Sequence, residues 1–511
     1  MYCCVFATAL RGVEAVPVQV ETDVRDGLPG FVMVGYVSAQ AREAQDRVRT
    51  ALRNLGIAIP PKHITVNMAP GDIRKDGTRY DLPIAATILQ AIGKIPEKAL
   101  ESTIIVGELH LEGSVGGVNG VLPTVIAARE AGLKRCVVPA VNYAEAAAVR
   151  GIEITAVRSL EELIGWCKGK PLSVPEIRDD RAEKYTVDFK DIRGQKAVKR
   201  AAVIAASGFH NLLLSGSPGT GKSMTAERIP TIMPDLTEEE QLEITKIYSV
   251  MGMLPDGISL LQTRPYRSPH HTITASALCG GGMYPRPGEV TLAHRGVLFL
   301  DEFPEMRPGT VEMLRQPMED RCITISRSGG AMVFPASFLL VAAQNPCPCG
   351  YFGYDRSKCS CTPRQILDYS ARISQALLDR FDIRCDVPPA SYEELADLQT
   401  GEEWSSAEMR AQVLLANERQ KDRYRNMTIL FNSELKAADI RRCCEMTEEA
   451  ERTIRAAYQA FGLSARGYHH VIKVARTIAD LEDADRIAES HVSEALLCRC
   501  TDVRDRKEGM I

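Results

Sequence analysis

Residues 216–223 read GSPGTGKS, and no other stretch limits the fold of this chain as much. The loop matches G-x-x-x-x-G-K-[ST]. It follows the apolar run NLLLSG (211–216) and precedes the helix-forming stretch SMTAERIP (223–230). Strand, glycine-rich turn and helix in that order form a phosphate cradle. The backbone of Gly216, Ser217, Pro218, Gly219, Thr220 and Gly221 can wrap a phosphate, with every residue but Pro218 offering an N–H group, and the helix N-terminus adds positive potential. Lys222 is expected to reach the β- and γ-phosphates of ATP, and Ser223 to ligate Mg2+.

Two further apolar runs read as buried parallel strands that complete this site. GVLFLDE (296–302) ends in Asp301 and Glu302. Asp301 is placed to hold Mg2+ through water, and Glu302 to act as general base toward an attacking water. ASFLLVAAQN (336–345) turns polar at Asn345, whose amide can orient that water. Such strands between helical patterns predict an α/β domain with a doubly wound parallel sheet. Arg380 in LLDRFD (377–382) and Arg466 in LSARGYHH (463–470) are candidates for neutralising γ-phosphate charge between subunits.

The 511 residues predict about three domains. Residues 1–170 alternate strand and helix patterns. Residues 171–186, within the Pro- and charge-rich stretch GKPLSVPEIRDDRAEK (169–184), read as a linker. Residues 187–390 hold the phosphate loop, and 391–511 carry helical periodicity without a strand signal, an all-α module. A formal net charge of −4 excludes a globally basic nucleic-acid coat, so any such contact needs a local patch. No run approaches the length of a membrane span, and MYCCVFATALRGVEA is no secretory leader, so no membrane partner and a cytoplasmic location are expected.

Fifteen cysteines, an odd number, argue for reduced thiols. One tight cluster, Cys347, Cys349, Cys359 and Cys361, has the spacing C-x-C-x9-C-x-C and can supply an S4 site for structural Zn2+. Cys443, Cys444, Cys498 and Cys500 lack partner spacing and read as helix residues. CITISRSGGAMVFPASF (322–338) reads as a β-hairpin with SGG as its turn and Arg327 beside the tip. RPYRSPHHTITASALCGGG (264–282) is a second loop, whose Arg264, Arg267, His270 and His271 point to DNA or inter-subunit contact rather than to a metal, since adjacent side chains diverge.

The order of phosphate loop, DE acid pair, Asn345, LLDRFD and S-A-R resembles an AAA+ ATPase. RPYRSPHHTITASALCGGG, PGEVTLAHRGVLFLDEFPEM (287–306) and NPCPCGY (345–351) resemble the magnesium-chelatase-related branch, within it the ComM/YifB group, over essentially the whole chain. That resemblance implies an AAA+ core with a C-terminal all-α lid, ATP hydrolysis with Mg2+, a homo-hexamer, and a helicase that migrates branched or single-stranded DNA in recombination or natural transformation. It makes Asn345 the first sensor, Arg380 the arginine finger acting on a neighbour and Arg466 the second-sensor arginine. The hairpin 322–338 resembles the pre-sensor hairpin of MCM helicases, which would aim Arg327 at a DNA phosphate.

Residues 1–170 resemble the Lon-protease proteolytic domain, an α+β fold of ribosomal S5 type. In RKDGTRYDLPIA (74–85) Arg79 stands where Lon has its nucleophilic serine, and in GSVGGVNGVL (113–122) Asn119 stands where Lon has its lysine. A Ser–Lys hydrolase needs both, so a proteolytically inactive domain is expected. Two rival functions share the nucleotide site: a chelatase-type motor subunit and an ATP-gated protein-remodelling factor.

Overall fold

The computed structural model describes residues 2–177, 185–327, 330–355, 357–389 and 404–499, arranged as two compact units. Part of the expected linker (178–184), the expected boundary at 390/391, the hairpin tip 328–329 and Cys500 lie outside the described residues.

The first unit comprises Met1–Ala182 and Thr237–Gln262. Its strands are β1 (Tyr2–Arg11), β2 (Glu14–Arg25), β3 (Gly30–Val34), β4 (His63–Ala69), β5 (Thr103–Ile105), β6 (Glu108–Leu109), β7 (Val115–Gly116), β8 (Arg135–Pro139) and β9 (Glu153–Val157). Seven of them form one mixed sheet in the order β3-β4-β2-β1-β5-β8-β9, and β6 pairs with β7. Strands β1 and β2 form an antiparallel hairpin, whereas β1/β5, β5/β8 and β8/β9 are parallel. The helix Asp81–Ala91 is buried at every position, which its nearly all-apolar sequence DLPIAATILQA allows. Its Asp81 receives two hydrogen bonds from Arg47, at 2.7 and 2.9 Å, so the buried carboxylate is paired.

The segment Thr237–Gln262 corrects the expected division, which placed it with the phosphate loop. Its helix Glu238–Met251 opens with a Thr237/Glu240 capping box. Leu242 and Leu260 pack on the core of Ile104, Val121 and Val125 in the first unit, and Ser249 donates to buried Glu145 at 2.5 Å. Apolar burial outweighs sequence neighbourhood here, because those leucines would otherwise face water.

The second unit comprises Glu183–Leu236 and Thr263–Ile511. Its strands are β10 (Leu212–Gly216), β11 (Tyr266–Arg267), β12 (Val297–Leu300), β13 (Cys322–Arg327), β14 (Gly330–Pro335), β15 (Leu339–Gln344) and β16 (Ile383–Val387). Five form an all-parallel sheet in the order β11-β12-β15-β10-β16, which explains the continuous apolar runs: β10 and β12 are buried throughout. The expected hairpin is present as β13 against β14. The helices Ser406–Arg423, Glu448–Phe461, Ala465–Leu481 and Glu489–Leu497 give the C-terminal region its helical character. Met409, Ile454, Val471 and Ala475 from these helices share one core with the sheet residues Leu212 and Val341, so this region closes the same unit. No described helix is long and apolar enough to cross a membrane.

Candidate nucleotide site

Strand β10 lies between β15 and β16 in its sheet, and residues 216–223 leave its carboxyl end, where ligands of open α/β sheets bind. Gly219 and Gly221 have φ of +78° and +86°, which L side chains rarely adopt, and Gly221 caps the helix Lys222–Ile232. Gly216 is required for a different reason: a Cβ there would collide with the Val387 carbonyl of β16. The hydroxyl of Ser217 is buried without a partner, as suits a group that awaits a ligand. Lys222 is 8% exposed and donates to the carbonyls of Gly216 and Ser217, both at 2.8 Å, with Asn345 Oδ1 at 3.3 Å. Burial lowers its pKa, opposed by the charge of Asp301.

The other expected groups arrive from neighbouring strands. Ser223 donates to Asp301 Oδ2 at 2.9 Å, so the two residues expected to hold Mg2+ stand together at the ends of the loop and of β12. Their oxygens are the hard donors that Mg2+ takes, and the site fits that ion. Bound Mg2+ would supply charge neutralisation on phosphate oxygens. Glu302 follows in a left-handed conformation, φ +48°, with its backbone N–H donating to Asp301 Oδ1 at 2.8 Å and its carboxylate half-exposed. His271 Nδ1 lies 2.8 Å from Glu302 Oε2. This pairing left no sign in the sequence, since 264–282 and 296–302 are brought side by side by the parallel pairing of β11 with β12. Held in this way, Glu302 can act as general base toward a water, and His271 can orient it.

Arg380 and Arg466 meet elsewhere. Arg380 is 7% exposed, and its Nη2 lies 2.9 Å from Glu319 Oε1; Arg466 pairs with the same oxygen. Both line a cavity of about 660 Å3 together with Glu319, Asp382, His470 and Lys473, and none of residues 216–223 lines it. Glu319, at the end of the short helix Arg315–Asp320, carried no motif that could have singled it out.

The arginines considered for DNA separate. Arg264 is buried and donates to the carbonyls of Pro234 and Arg295, both at 2.7 Å. Arg267 makes a two-pronged pair with Glu289, at 2.7 and 2.9 Å. Both guanidinium groups are committed to internal acceptors, and a phosphate would have to displace them. Arg327 is exposed on β13 and donates to the carbonyls of Gly282 at 3.3 Å and Ser326 at 3.4 Å.

The sulfurs of Cys347, Cys349, Cys359 and Cys361 all lie within 4.8 Å of one another. In the first unit, Arg79 is buried and donates to the Asn119 carbonyl at 2.5 Å, so the two positions matched to the Lon nucleophile and lysine are neighbours. Burial lowers the pKa of the Arg79 guanidinium.

Three family descriptions match the chain: "Magnesium chelatase, subunit ChlI" over residues 188–395, "Subunit ChlI of Mg-chelatase" over 20–142, and "Magnesium chelatase, subunit ChlI C-terminal" over 403–499. The YifB protein of Salmonella typhimurium is 39% identical over 500 residues, 98% of this chain and 97% of its own. Competence protein ComM of Haemophilus influenzae is 39% identical over 499 residues, 96% of each chain. Lon protease 2 of Bacillus subtilis is 34% identical over 128 residues, 25% of this chain and 22% of its own. With phosphate loop, acid pair and Asn345 gathered on one five-stranded parallel sheet, this chain belongs to the ComM/YifB family of magnesium-chelatase-like AAA+ proteins, which implies use of ATP and Mg2+.

Proposed function

We propose that the protein is an ATP-hydrolysing DNA motor that works as a homo-hexameric ring and drives branch migration in recombination or natural transformation. The observation that carries this reading is the division of the site. Lys222, Ser223, Asp301 and Asn345 gather at one loop, whereas Arg380 and Arg466 converge on Glu319 in a cavity that the loop does not line. Cations set apart in this way suit action on a neighbouring copy's γ-phosphate, as arginine fingers do in trans. The similarity to a competence protein along nearly the whole chain supports DNA as the substrate. Exposed Arg327 on the β13–β14 hairpin is the candidate phosphate contact. The first unit is a structural module in this reading, with Arg79 in place of a nucleophile.

The test is ATP-dependent conversion of a labelled synthetic four-way junction, with Lys222→Ala alongside. Conversion by the wild type and none by Lys222→Ala supports the motor. No conversion by either, together with ATPase that DNA leaves unchanged, refutes it. A second reading, a chelatase-type motor subunit, draws on the family match over residues 188–395. Metal insertion into a porphyrin in the presence of partner subunits would support that reading instead.

A further inference from the structure

The four clustered cysteines occupy the segment between Asn345 and the helix Pro363–Ser370, beside the phosphate loop. Their geometry is that of a ligand set. Cys347 and Cys349 sulfurs are 3.4 Å apart, Cys347 and Cys359 4.0 Å, and Cys349 and Cys359 3.7 Å. A tetrahedral site with Zn–S bonds of about 2.3 Å places its sulfurs about 3.8 Å apart, the middle of that range. The backbone N–H of Phe352 donates to Cys347 Sγ at 3.4 Å, the kind of outer contact that orients a thiolate ligand. Asp355 tightens the turn between the two pairs by accepting from the Ser357 N–H at 3.0 Å. Four soft sulfur donors without oxygen or nitrogen ligands select Zn2+ over the hard cations.

The same knuckle rests against the nucleotide loop. Gly350, at φ +84°, approaches so closely that a Cβ would lie 2.5 Å from Pro218 Cδ, a ring atom that cannot rotate away. Tyr354 donates its hydroxyl to the Ser215 carbonyl at 3.2 Å, at the end of β10 where the loop begins. Asn345, two residues before Cys347, sits at Lys222. The knuckle thus touches the root of the loop and its third residue, and the residue that leads into it, Asn345, touches the loop's lysine.

We propose that Cys347, Cys349, Cys359 and Cys361 bind one Zn2+ ion, and that the metal-closed knuckle holds the phosphate loop and Asn345 in the conformation that binds nucleotide. This rests on the nucleotide reading of the loop but not on DNA as substrate. Without the metal the four sulfurs have no common partner, the knuckle loosens, and Pro218 and the Ser215 carbonyl lose the surface that fixes them.

The experiment uses the full chain without DNA. Protein purified without chelators is analysed for metals, and binding of the fluorescent analogue mant-ATP is titrated in Mg2+ buffer before and after zinc is stripped. One zinc per chain is expected, with loss in Cys359→Ser and Cys361→Ser. Stripping should weaken mant-ATP binding about ten-fold or more, the lower end of what loss of a supporting shell costs, and added Zn2+ should restore it. Gly350→Ala keeps all four thiols, so it should retain zinc yet also bind mant-ATP more weakly. No metal, or iron in place of zinc, overturns the proposal. So does unchanged mant-ATP affinity in stripped protein, or in zinc-loaded Gly350→Ala. Junction assays have no bearing on these readouts, so failure here and failure of the DNA reading are separate results.

Discussion

Gly216→Ala tests whether strand packing, rather than loop flexibility, demands the first glycine of the phosphate loop. Gly216 is the last residue of β10 and pairs in register with Val387 of β16. An alanine Cβ would meet the Val387 carbonyl well inside van der Waals distance, with Thr220 Oγ1 at 3.0 Å and Val387 Cβ at 3.1 Å. Carbon contacts are comfortable near 3.5 Å, so the loop or the end of β16 must give way by about 1 Å. Overpacking of this kind costs about 1–3 kcal/mol, and losing the terminal rung of the ladder adds about 1 kcal/mol, or about 2–4 kcal/mol together. A displacement of about 1 Å at a phosphate-positioning loop is worth about a hundred-fold in function. Gly219→Ala is the control: its Cβ meets open space, so only the left-handed penalty of about 1–2 kcal/mol applies at φ +78°. Urea unfolding and mant-ATP titration of wild type and both variants are the assays. Gly216→Ala should show the larger shift in midpoint and the larger loss of affinity. If it binds nucleotide and unfolds like the wild type, the close approach of β16 to the loop is wrong.

Arg264→Gln should cost stability, about 3 kcal/mol, because Pro234 and Arg295 lose charged donors, and urea midpoints check this; unchanged stability with weaker DNA binding would restore it as a DNA contact. Arg327→Ala should remove DNA stimulation of ATPase, leave the basal rate intact and reduce the salt slope of DNA binding by about one; equal loss of basal and stimulated rates would contradict a DNA role. The His210–Asp382–His470 cluster makes stability fall in acid. Burial lowers the pKa of His210 against the opposing pull of Asp382, so the unfolded chain takes up a proton first, and stability declines as pH drops below about 6.5. Burial alone would raise Asp382, but His470 and His210 hold it well below the usual carboxylate range, so its contribution persists above about 3.9 and is lost at lower pH. Urea midpoints from pH 7.5 to 5.5 should therefore fall for the wild type and flatten in His210→Gln; parallel curves would remove His210 as the cause.

The parts of the site legible in the sequence are those whose chemistry is local. The phosphate loop declares itself because strand, turn and helix are consecutive, and Asp301, Glu302 and Asn345 because each ends an apolar run. Strands β10, β12 and β15 of the five-stranded sheet were legible from the same runs, since strands buried on both faces show no alternation, whereas the two-residue β11 lies in a stretch that reads as a loop and β16 alternates in burial. Contacts that depend on how distant segments meet left no trace. Glu319 lies in a short helix without a motif, yet it gathers Arg380 and Arg466. Arg264 and Arg267 read as a basic loop, but one is enclosed among carbonyls and the other is matched by Glu289. The helix Glu238–Met251 follows the phosphate-loop helix in sequence yet packs in the first unit, because its apolar face finds its partners there.

Glu319 also bears on how the two arginines act. One carboxylate offset by two guanidinium groups leaves a net positive charge, and the partners differ in exposure: the Arg466 side chain is 45% exposed, that of Arg380 8%. Arg380 has a further acceptor in the Ala376 carbonyl, but its Nε is buried without one. A buried guanidinium with an unmet donor retains attraction for an anion, whereas an exposed pair is worth only about 0–1 kcal/mol and exchanges readily. Arg466 can therefore leave Glu319 at little cost, while Arg380 stays held in place. On the ring proposal, Arg466→Ala should weaken the response to a neighbour's nucleotide without disturbing the fold. Arg380→Ala should cost both, because it leaves Glu319 with a single exposed partner and opens a gap in the packing around Ala376.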